Sequence, residues 1–147
     1  MSRRLEYTPA RVAQARLDLR DEAESILAMS THLDRAERIL VEQVYRDGLA
    51  VTDIARLYRV NPRTMQNRLK KAIKRIASPE FQYVLTHGEL LPRELRAPAR
   101  RFYLQGLGLR RTAELTQQSL HTVRQQRLRL DTHLDAHLRR SSTTRHR

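Results

Sequence analysis

Residues 33–76 contain the pattern that most restricts how this chain can fold, two apolar segments separated by Asn61-Pro62. Ile54 and Tyr58 lie four residues apart, a spacing that places both on one face of a helix. Asn is a strong N-cap, and Pro suits the first helical position because the N–H that it lacks would have no intrahelical partner there. Pro62 also moves Asn61 out of the α region, as a capping residue requires. The stretch therefore predicts a helix, a tight turn and a second helix.

The interior of this unit is predicted from apolar and small side chains at helical spacing. Ala55 falls where two helices would cross, since a small side chain lets the backbones approach, and Val60 would fill the turn. A lead helix capped by Asp34 and ended by Gly48 completes a three-helix unit. The side chains expected to close its core are Ile54, Ala55, Tyr58, Val60, Met65 and Leu69.

The outer face of the helix that begins at Pro62 carries amide and basic side chains. Arg, Gln and Asn can form paired hydrogen bonds with purine edges, and Lys can neutralise phosphates. A helix that presents both kinds near its N-terminus has the chemistry needed in the major groove of double-stranded DNA. The alternative is an ordinary solvated basic face. The predicted base-contacting residues are Arg63, Gln66, Asn67 and Lys70, and the predicted phosphate contacts are Lys71, Lys74 and Arg75.

The same stretch resembles the region-four domain of bacterial sigma factors of the extracytoplasmic-function type, and the related DNA-binding domain of response regulators. The similarity runs without a gap through Leu33, Arg38, Tyr45, Gly48-Leu49, Ile54-Ala55, Val60, Thr64-Met65, Arg68-Leu69 and Ala72. The resemblance implies a helix-turn-helix unit whose second helix contacts promoter DNA, with RNA polymerase as a further partner. The chain departs from the family at Arg59, where the family has Gly. Arg59 must either avoid a positive φ or carry strain.

A weaker copy of the unit follows fifty-eight residues further along. The matching pairs include Leu33 and Leu91, Arg38 and Arg96, Tyr45 and Tyr103, Gly48 and Gly106, Ala55 and Ala113, and Thr64 and Thr122. Such a repeat implies two copies of one supersecondary unit. We predict a short helix from about Leu109 to Gln117 and a long helix capped by Ser119. The outward residues expected on the long helix are His121, Arg124, Gln125 and Arg127.

The second copy is less regular. Thr112, Thr116 and Gln118 fall at the three core positions of Ile54, Tyr58 and Val60, which predicts a looser unit. Pro98 falls inside the lead helix, where it costs about 3 kcal/mol unless the helix breaks. We therefore expect a kink or a restart near Pro98.

Residues 81–128 are also faintly similar to plasmid repressors of the TrfB/KorA type. The shared features are the helix led by Phe81, Ala99-Arg100 seven residues before Gly106, and then Ser119 and Val123. That resemblance implies a dimeric repressor that binds operator DNA.

Two flanking helices complete the prediction. Thr8-Pro9 starts an N-terminal helix with a narrow apolar stripe of Val12, Ala15, Leu19, Ala23, Ile26 and Ser30. This stripe either packs across the adjacent unit or forms an oligomer seam. The last helix is expected to reach about Arg140 with a stripe of Val123, Arg127, Leu130, Leu134 and His137 or Leu138, which is the preferred dimer contact. Residues 141–147 are predicted to be a disordered basic tail.

Charge and composition favour a polyanion-binding protein. The formal net charge is +13, and it is uneven: residues 1–50 carry −1 and residues 51–147 carry +14. The basic part begins where the first helix-turn-helix unit begins, as a nucleic-acid-binding surface would. Arg3-Arg4 precedes no apolar segment, there is no membrane-length apolar run, and there is no Cys. We expect a cytoplasmic, nucleoid-associated protein that does not bind membranes.

Catalytic and cofactor chemistry is not predicted. His133 and His137 lie four residues apart, but no carboxylate or thiol completes a metal site with them. None of the four Gly falls in a phosphate-binding pattern, and no Ser–His–acid arrangement follows from the spacing. We therefore expect a chain with no enzymatic activity, no cofactor and no metal.

The predicted fold is all-α, with an N-terminal amphipathic helix and two tandem helix-turn-helix units. The expected divisions are 1–30, 31–77 for the first unit, 78–140 for the second, and 141–147 for the tail. The expected function is a bacterial or mobile-element transcription regulator that binds specific double-stranded DNA as a homodimer. The alternatives are an adaptor that binds RNA polymerase or another regulator, and an architectural or excision factor on mobile DNA.

Overall fold

The computed structural model describes the backbone of residues 9–144 and the side chains of residues 9–140, and the regular structure in this part of the chain is helical. The α-helices are α1 (Pro9–Ser30), α2 (Arg35–Tyr45), α3 (Val51–Leu57), α4 (Pro62–Ile76), α5 (Pro79–His87), α6 (Arg93–Ala99), α7 (Leu109–Thr116) and α8 (Leu120–Thr144). A 3-10 turn, Gly88–Leu90, follows α5, and a π-helical turn, Arg100–Leu104, follows α6. The predicted all-α class is confirmed.

Three helix starts follow their local sequence signals. The Asn61 side chain accepts a hydrogen bond from the Arg63 N–H at 2.9 Å. Ser78 Oγ accepts from the Phe81 N–H at 3.2 Å, and Ser119 Oγ accepts from the Thr122 N–H at 3.1 Å. Each bond satisfies a donor that the first helical turn leaves without a partner.

At the predicted starts of α2 and α1, no side-chain capping hydrogen bond is found among the described residues. Asp34 occupies the capping position of α2 but makes no capping hydrogen bond with its side chain. α1 begins at Pro9 as predicted, while its predicted cap, Thr8, lies outside the described residues.

The core of the first unit contains the predicted side chains with one exception. Ile54, Ala55 and Met65 are buried with Leu40, and Val60 and Leu69 pack against them. The prediction for Tyr58 is wrong, since this side chain is 51% exposed. α3 already ends at Leu57, and Tyr58 forms its C-cap. The Tyr58 hydroxyl accepts a hydrogen bond from Gln43 on α2 at 3.4 Å.

The lead helix of the second unit does not restart at Pro98, so the expected restart is wrong, and the alternative of a kink there stays a prediction. α6 contains Pro98 and continues to Ala99, where it passes directly into the π-helical turn. That turn closes with the Gln105 N–H donating to the Arg100 carbonyl at 2.9 Å. Pro98 and Ala99 are both buried, so tertiary packing compensates for the hydrogen bond that the proline cannot donate.

The largest hydrophobic core joins the two predicted units. It contains Val41, Ala72 and Ile76 from the range 31–77, together with Phe81 and Leu95 from the range 78–140. Further members are Phe102, Leu104, Val123, Leu130 and Leu134. The two ranges therefore share one core.

Only the C-terminal part of α1 joins that core. Ile26 and Ser30 are buried, whereas Leu17 and Leu19 are 53% and 66% exposed. At Leu19 the predicted stripe therefore does not pack against the rest of the described chain. The C-terminal end of α1 packs against the first unit. For the rest of α1, an oligomer seam stays a prediction.

α8 differs from the prediction in its length and in the burial of its apolar stripe. It extends to Thr144, so the predicted disordered tail is wrong for residues 141–144, and residues 145–147 lie outside the described residues. Its stripe of Val123, Leu130 and Leu134 is buried inside the chain. That stripe is therefore not free for the predicted dimer contact, because α5, α6 and α7 already pack against α8.

The repeat in the sequence also appears in the backbone. Gly48 and Gly106 both have φ of +69°, and Arg59 and Gln117 have φ of +55° and +54°. The Val60 N–H donates to the Ala55 carbonyl at 2.9 Å, and the equivalent Gln118 N–H donates to the Ala113 carbonyl at 3.2 Å. Arg59 thus takes the positive φ that the sequence left open. The two turns share one conformation although their sequences differ.

The polar residues of the second copy behave differently from one another. Thr112, which replaces Ile54, is fully buried, and its hydroxyl has no hydrogen-bond partner among the described residues. Thr116 is half-buried and Gln118 is exposed. A buried hydroxyl without a partner destabilises a fold, so the second unit keeps the turn geometry at some cost in stability.

Candidate nucleic-acid interface

The candidate interface is the solvent-exposed face of α4. The side chains on this face are exposed at Arg63, Gln66, Asn67, Lys70 and Lys74. Their spacing of three and four residues places them side by side along the helix. The opposite face holds Met65, Ala72 and Ile76 in the protein interior, which fixes the direction in which the exposed face points.

α4 is also the most strongly cationic element of the chain. It contains all three Lys of the protein, three Arg and no Asp or Glu. Within residues 9–140, no carboxylate forms an ion pair with Arg63, Lys70, Lys71 or Lys74. Arg38, Arg46 and Arg129, by contrast, pair with acids of the chain. The charges of these four α4 residues are therefore not neutralised within the described part of the chain.

Arg75 does not belong to this face. Its side chain is only 19% exposed, and its guanidinium donates two hydrogen bonds to the Glu37 carboxylate, at 2.9 and 3.0 Å. The structure therefore corrects the prediction of a phosphate contact at Arg75, because the guanidinium is held inside the protein. Sequence periodicity could not reveal this, since Glu37 lies thirty-eight residues away.

The start of α8 presents a smaller counterpart of the α4 face. His121, Arg124 and Gln125 are exposed on its first two turns, as predicted. Arg127 is not with them: it is half-buried and forms an ion pair with Asp131 at 3.2 Å. Its guanidinium lies over Phe102 and Tyr103, at 5.2 and 4.8 Å from the ring centroids. Arg127 therefore contributes to internal packing, and three residues remain on the second exposed face.

Asp131 also binds Tyr103, whose hydroxyl donates a hydrogen bond to the same carboxylate oxygen that Arg127 contacts. Burial and this hydrogen bond raise the pKa of Tyr103 above its usual value. The phenol is accordingly protonated near neutral pH and acts as a donor. The group Tyr103–Asp131–Arg127 connects the π-helical turn to α8 and orients the second unit.

A groove lies between α2 and α4, beside the exposed face, with a volume of about 570 Å³. Its floor is apolar and includes Leu40, Ile54 and Met65, and its wall includes Arg68 and Lys71. Ile39, which lines it, is 37% exposed. The sequence analysis missed this groove because it assigned Tyr58 to the core. No local sequence signal placed Tyr58 outside the core, because its exposure depends on where α3 ends.

Of the two His residues considered for metal binding, His133 and His137, the second packs against other rings. The His137 ring lies 4.3 Å from that of Tyr83 and 5.5 Å from that of His87, measured between centroids. Within the described residues, no group of three or more His, Cys, Asp or Glu side chains is placed to hold a metal ion. Similarly, no helix in residues 9–144 combines the length and the apolarity needed to cross a membrane.

Comparison with protein-family models, curated proteins and solved structures finds no match to this chain. The resemblances to sigma-factor region four and to plasmid repressors therefore stay predictions, and the function must be argued from the geometry of the molecule.

Proposed function

We propose that this chain is a sequence-specific regulator of transcription that binds double-stranded DNA, with α4 in the major groove. In this proposal α3, the turn at Arg59 and α4 form one helix-turn-helix motif, and α7, the turn at Gln117 and α8 form another. The repeated φ angles and turn hydrogen bonds support the assignment of two equivalent motifs. A helix that follows such a turn and exposes polar side chains at its N-terminal end suits major-groove docking.

The observation that carries the proposal is the exposed face of α4. Gln66 and Asn67 provide amides that can pair with adenine, and Arg63 can pair with guanine. Lys70, Lys71 and Lys74 provide charges that no acid of the described chain neutralises. An exposed cationic helix without compensating acids is the arrangement that gains most from releasing counterions on a phosphate backbone.

The second unit supports this contact in the proposal. His121, Arg124 and Gln125 would contact a neighbouring part of the same duplex from the start of α8. With one amide and one Arg, this face is smaller than that of α4. We therefore assign it an auxiliary contribution to affinity, and we assign base selection mainly to α4.

A pair of variants separates base contacts from phosphate contacts. Gln66→Ala with Asn67→Ala should lower the preference for the target over random duplex, because each lost bidentate pair removes about 1–3 kcal/mol of discrimination. Lys74→Ala should weaken binding to all duplexes alike and reduce the slope of log affinity against log salt by about 1. Fluorescence anisotropy across a salt series, with target and random duplexes, measures both effects.

The matched control is Gln14→Ala, which removes an exposed amide that donates to Asp18 of the same helix, α1. It should change neither quantity. If the double variant keeps the full preference for target over random duplex while Lys74→Ala loses it, Gln66 and Asn67 do not contact bases.

The second candidate function is an adaptor that binds RNA polymerase or another regulator, and the groove between α2 and α4 favours it. Its apolar floor and exposed Ile39 could receive an apolar segment of a partner protein. Copurification of RNA polymerase from nuclease-treated lysate with the natural chain, and its loss with Ile39→Glu, would support this function. Retention of the polymerase by Ile39→Glu would exclude the groove as its site.

The cellular setting is part of the proposal and is inferred from the sequence. We propose a bacterial or mobile-element protein that acts in the cytoplasm on nucleoid DNA, as a homodimer and without enzymatic activity. No surface is assigned to the dimer, since the stripe of α8 that the sequence favoured is buried within the chain.

A further inference from the structure

Arg75 contacts three separate segments of the chain. It projects from α4, donates two hydrogen bonds to Glu37 of α2, and directs Nη1 toward the Leu104 carbonyl at 3.5 Å. Leu104 ends the π-helical turn of the second unit. We call Glu37, Arg75 and Gly106 the Arg75 bridge, because the guanidinium also lies against Gly106.

Gly106 is the point where the guanidinium meets the second unit. A Cβ added at Gly106 would overlap Cζ, Nη2 and Nε of Arg75. Gly48 is its counterpart in the first unit and has the same φ of +69°, but a Cβ there would meet nothing within 4 Å. The positive φ alone accounts for glycine at position 48. At position 106, glycine is also required for the close approach of Arg75.

The geometry of the Arg75 bridge fixes the orientation of the guanidinium. A bidentate pair between guanidinium and carboxylate fixes the plane of the Arg side chain in addition to its distance. Both partners are largely covered, at 19% and 21% side-chain exposure, so solvent screens the pair less than the surface pair of Arg38 and Glu42. A guanidinium held in this plane gives the Gly106 backbone one position against the first unit.

We propose that the Arg75 bridge fixes the orientation of the second helix-turn-helix unit relative to the first, so that one chain binds a bipartite duplex site with a single spacing. This inference rests on the proposed function. In it, Arg75 acts as a positioning residue that sets where α8 meets DNA while α4 is bound. The Arg75 guanidinium sets the spacing between the DNA contacts of α4 and α8, and it does not itself neutralise a phosphate.

The orientation can be measured without DNA. The chain has no Cys, so Leu57→Cys and Leu115→Cys place spin labels at equivalent exposed positions of α3 and α7. Double electron–electron resonance should give one narrow distance distribution for this labelled chain. Adding Glu37→Gln or Gly106→Ala should broaden the distribution or shift its maximum.

Two matched controls isolate the bridge. Glu42→Gln removes the same charge from the same helix, but Glu42 pairs only within the first unit, with Arg38 and Arg46. Gly48→Ala introduces the same side chain at the same φ without meeting Arg75. Both controls should keep the narrow distribution. If Glu37→Gln keeps it as well, with helicity unchanged by circular dichroism, the inference is wrong.

The consequence for DNA is tested by selection from a randomised duplex pool. The natural chain should enrich two sequence elements at one spacing, and Glu37→Gln should enrich the same elements at mixed spacings. Affinity for the preferred spacing should fall about tenfold in Glu37→Gln, because a looser link lowers the effective concentration of the second unit. A single spacing retained by Glu37→Gln would overturn the inference.

The two kinds of failure are distinguishable. No enrichment by the natural chain would contradict the proposed function, whatever the spin labels show. Enrichment of one element alone would support α4 as the binding helix and overturn the bipartite site.

Discussion

At the scale of single residues, the conformation of the two turns is the most informative feature. Arg59 and Gln117 both take a left-handed conformation, which costs an L-residue about 1–2 kcal/mol relative to the right-handed one. The backbone accepts this cost at both positions because it directs the following helix across the preceding one, where Ala55 and Met65 are buried together. The turn geometry is thus maintained against the local preference of the side chains.

Arg59→Gly should stabilise the protein by up to about 1 kcal/mol, since glycine removes the strain but loses more entropy on folding. Urea unfolding measures this change. Arg56→Gly, at an exposed helical position of α3, is the control and should destabilise by about 1 kcal/mol. Equal losses for the two variants would show that the turn at Arg59 is not strained in solution.

At the scale of elements, the attachment of α8 depends on a small polar group. Tyr103 from the π-helical turn and Arg127 from α8 both bind the Asp131 carboxylate. Arg127 also covers the rings of Phe102 and Tyr103. This arrangement explains why a residue with the right charge and spacing for DNA contact is directed into the protein.

Tyr103→Phe should lower the free energy of unfolding by about 2 kcal/mol, as expected for a hydrogen bond to a charged group. Because the folded protein raises the pKa of Tyr103, the stabilisation is complete below the ordinary phenol pKa of about 10 and is lost as the pH rises above it. Thermal melting at pH 8 and at about pH 10.5 should show a larger alkaline loss for the natural chain than for the variant. Equal losses would mean that Tyr103 does not titrate differently in the folded state.

The sequence predicted those elements whose signals are local. The caps at Asn61 and Ser119 determine helix starts through bonds within three residues, so they could be identified without tertiary structure. Tyr58 and Pro98 could not be placed in this way. The exposure of Tyr58 depends on where α3 ends, and the tolerance of Pro98 depends on the core that surrounds it.

In the candidate site too, features that depend on local sequence were predicted, and features that depend on distant contacts were not. The exposed face of α4 follows from helical periodicity and was predicted residue by residue, as were His121, Arg124 and Gln125. Arg75 was assigned to DNA contact because its partner, Glu37, is distant in sequence. Arg127 has a partner four residues away, Asp131, but the aromatic rings that it covers are distant in sequence. Charge and spacing identify which residues can bind phosphate, and only the fold shows which of them remain accessible.

At the scale of the whole molecule, two similar units have become one body. The hydrophobic core contains side chains from both, and the Arg75 bridge joins α2 and α4 to the backbone of the second unit. We propose that this arrangement holds the two exposed helix starts in a fixed relation, in contrast to two DNA-binding domains on a flexible linker.

The most direct test of the central claim is selection by the purified chain from a randomised duplex pool at about 150 mM salt, where the nonspecific electrostatic contribution is weakened. The account predicts enrichment of a defined sequence element. The element should be lost when Gln66 and Asn67 are replaced together by Ala. Salt-sensitive binding to the pool without any enrichment would contradict it, since the exposed face of α4 would then be a basic surface that does not select a sequence.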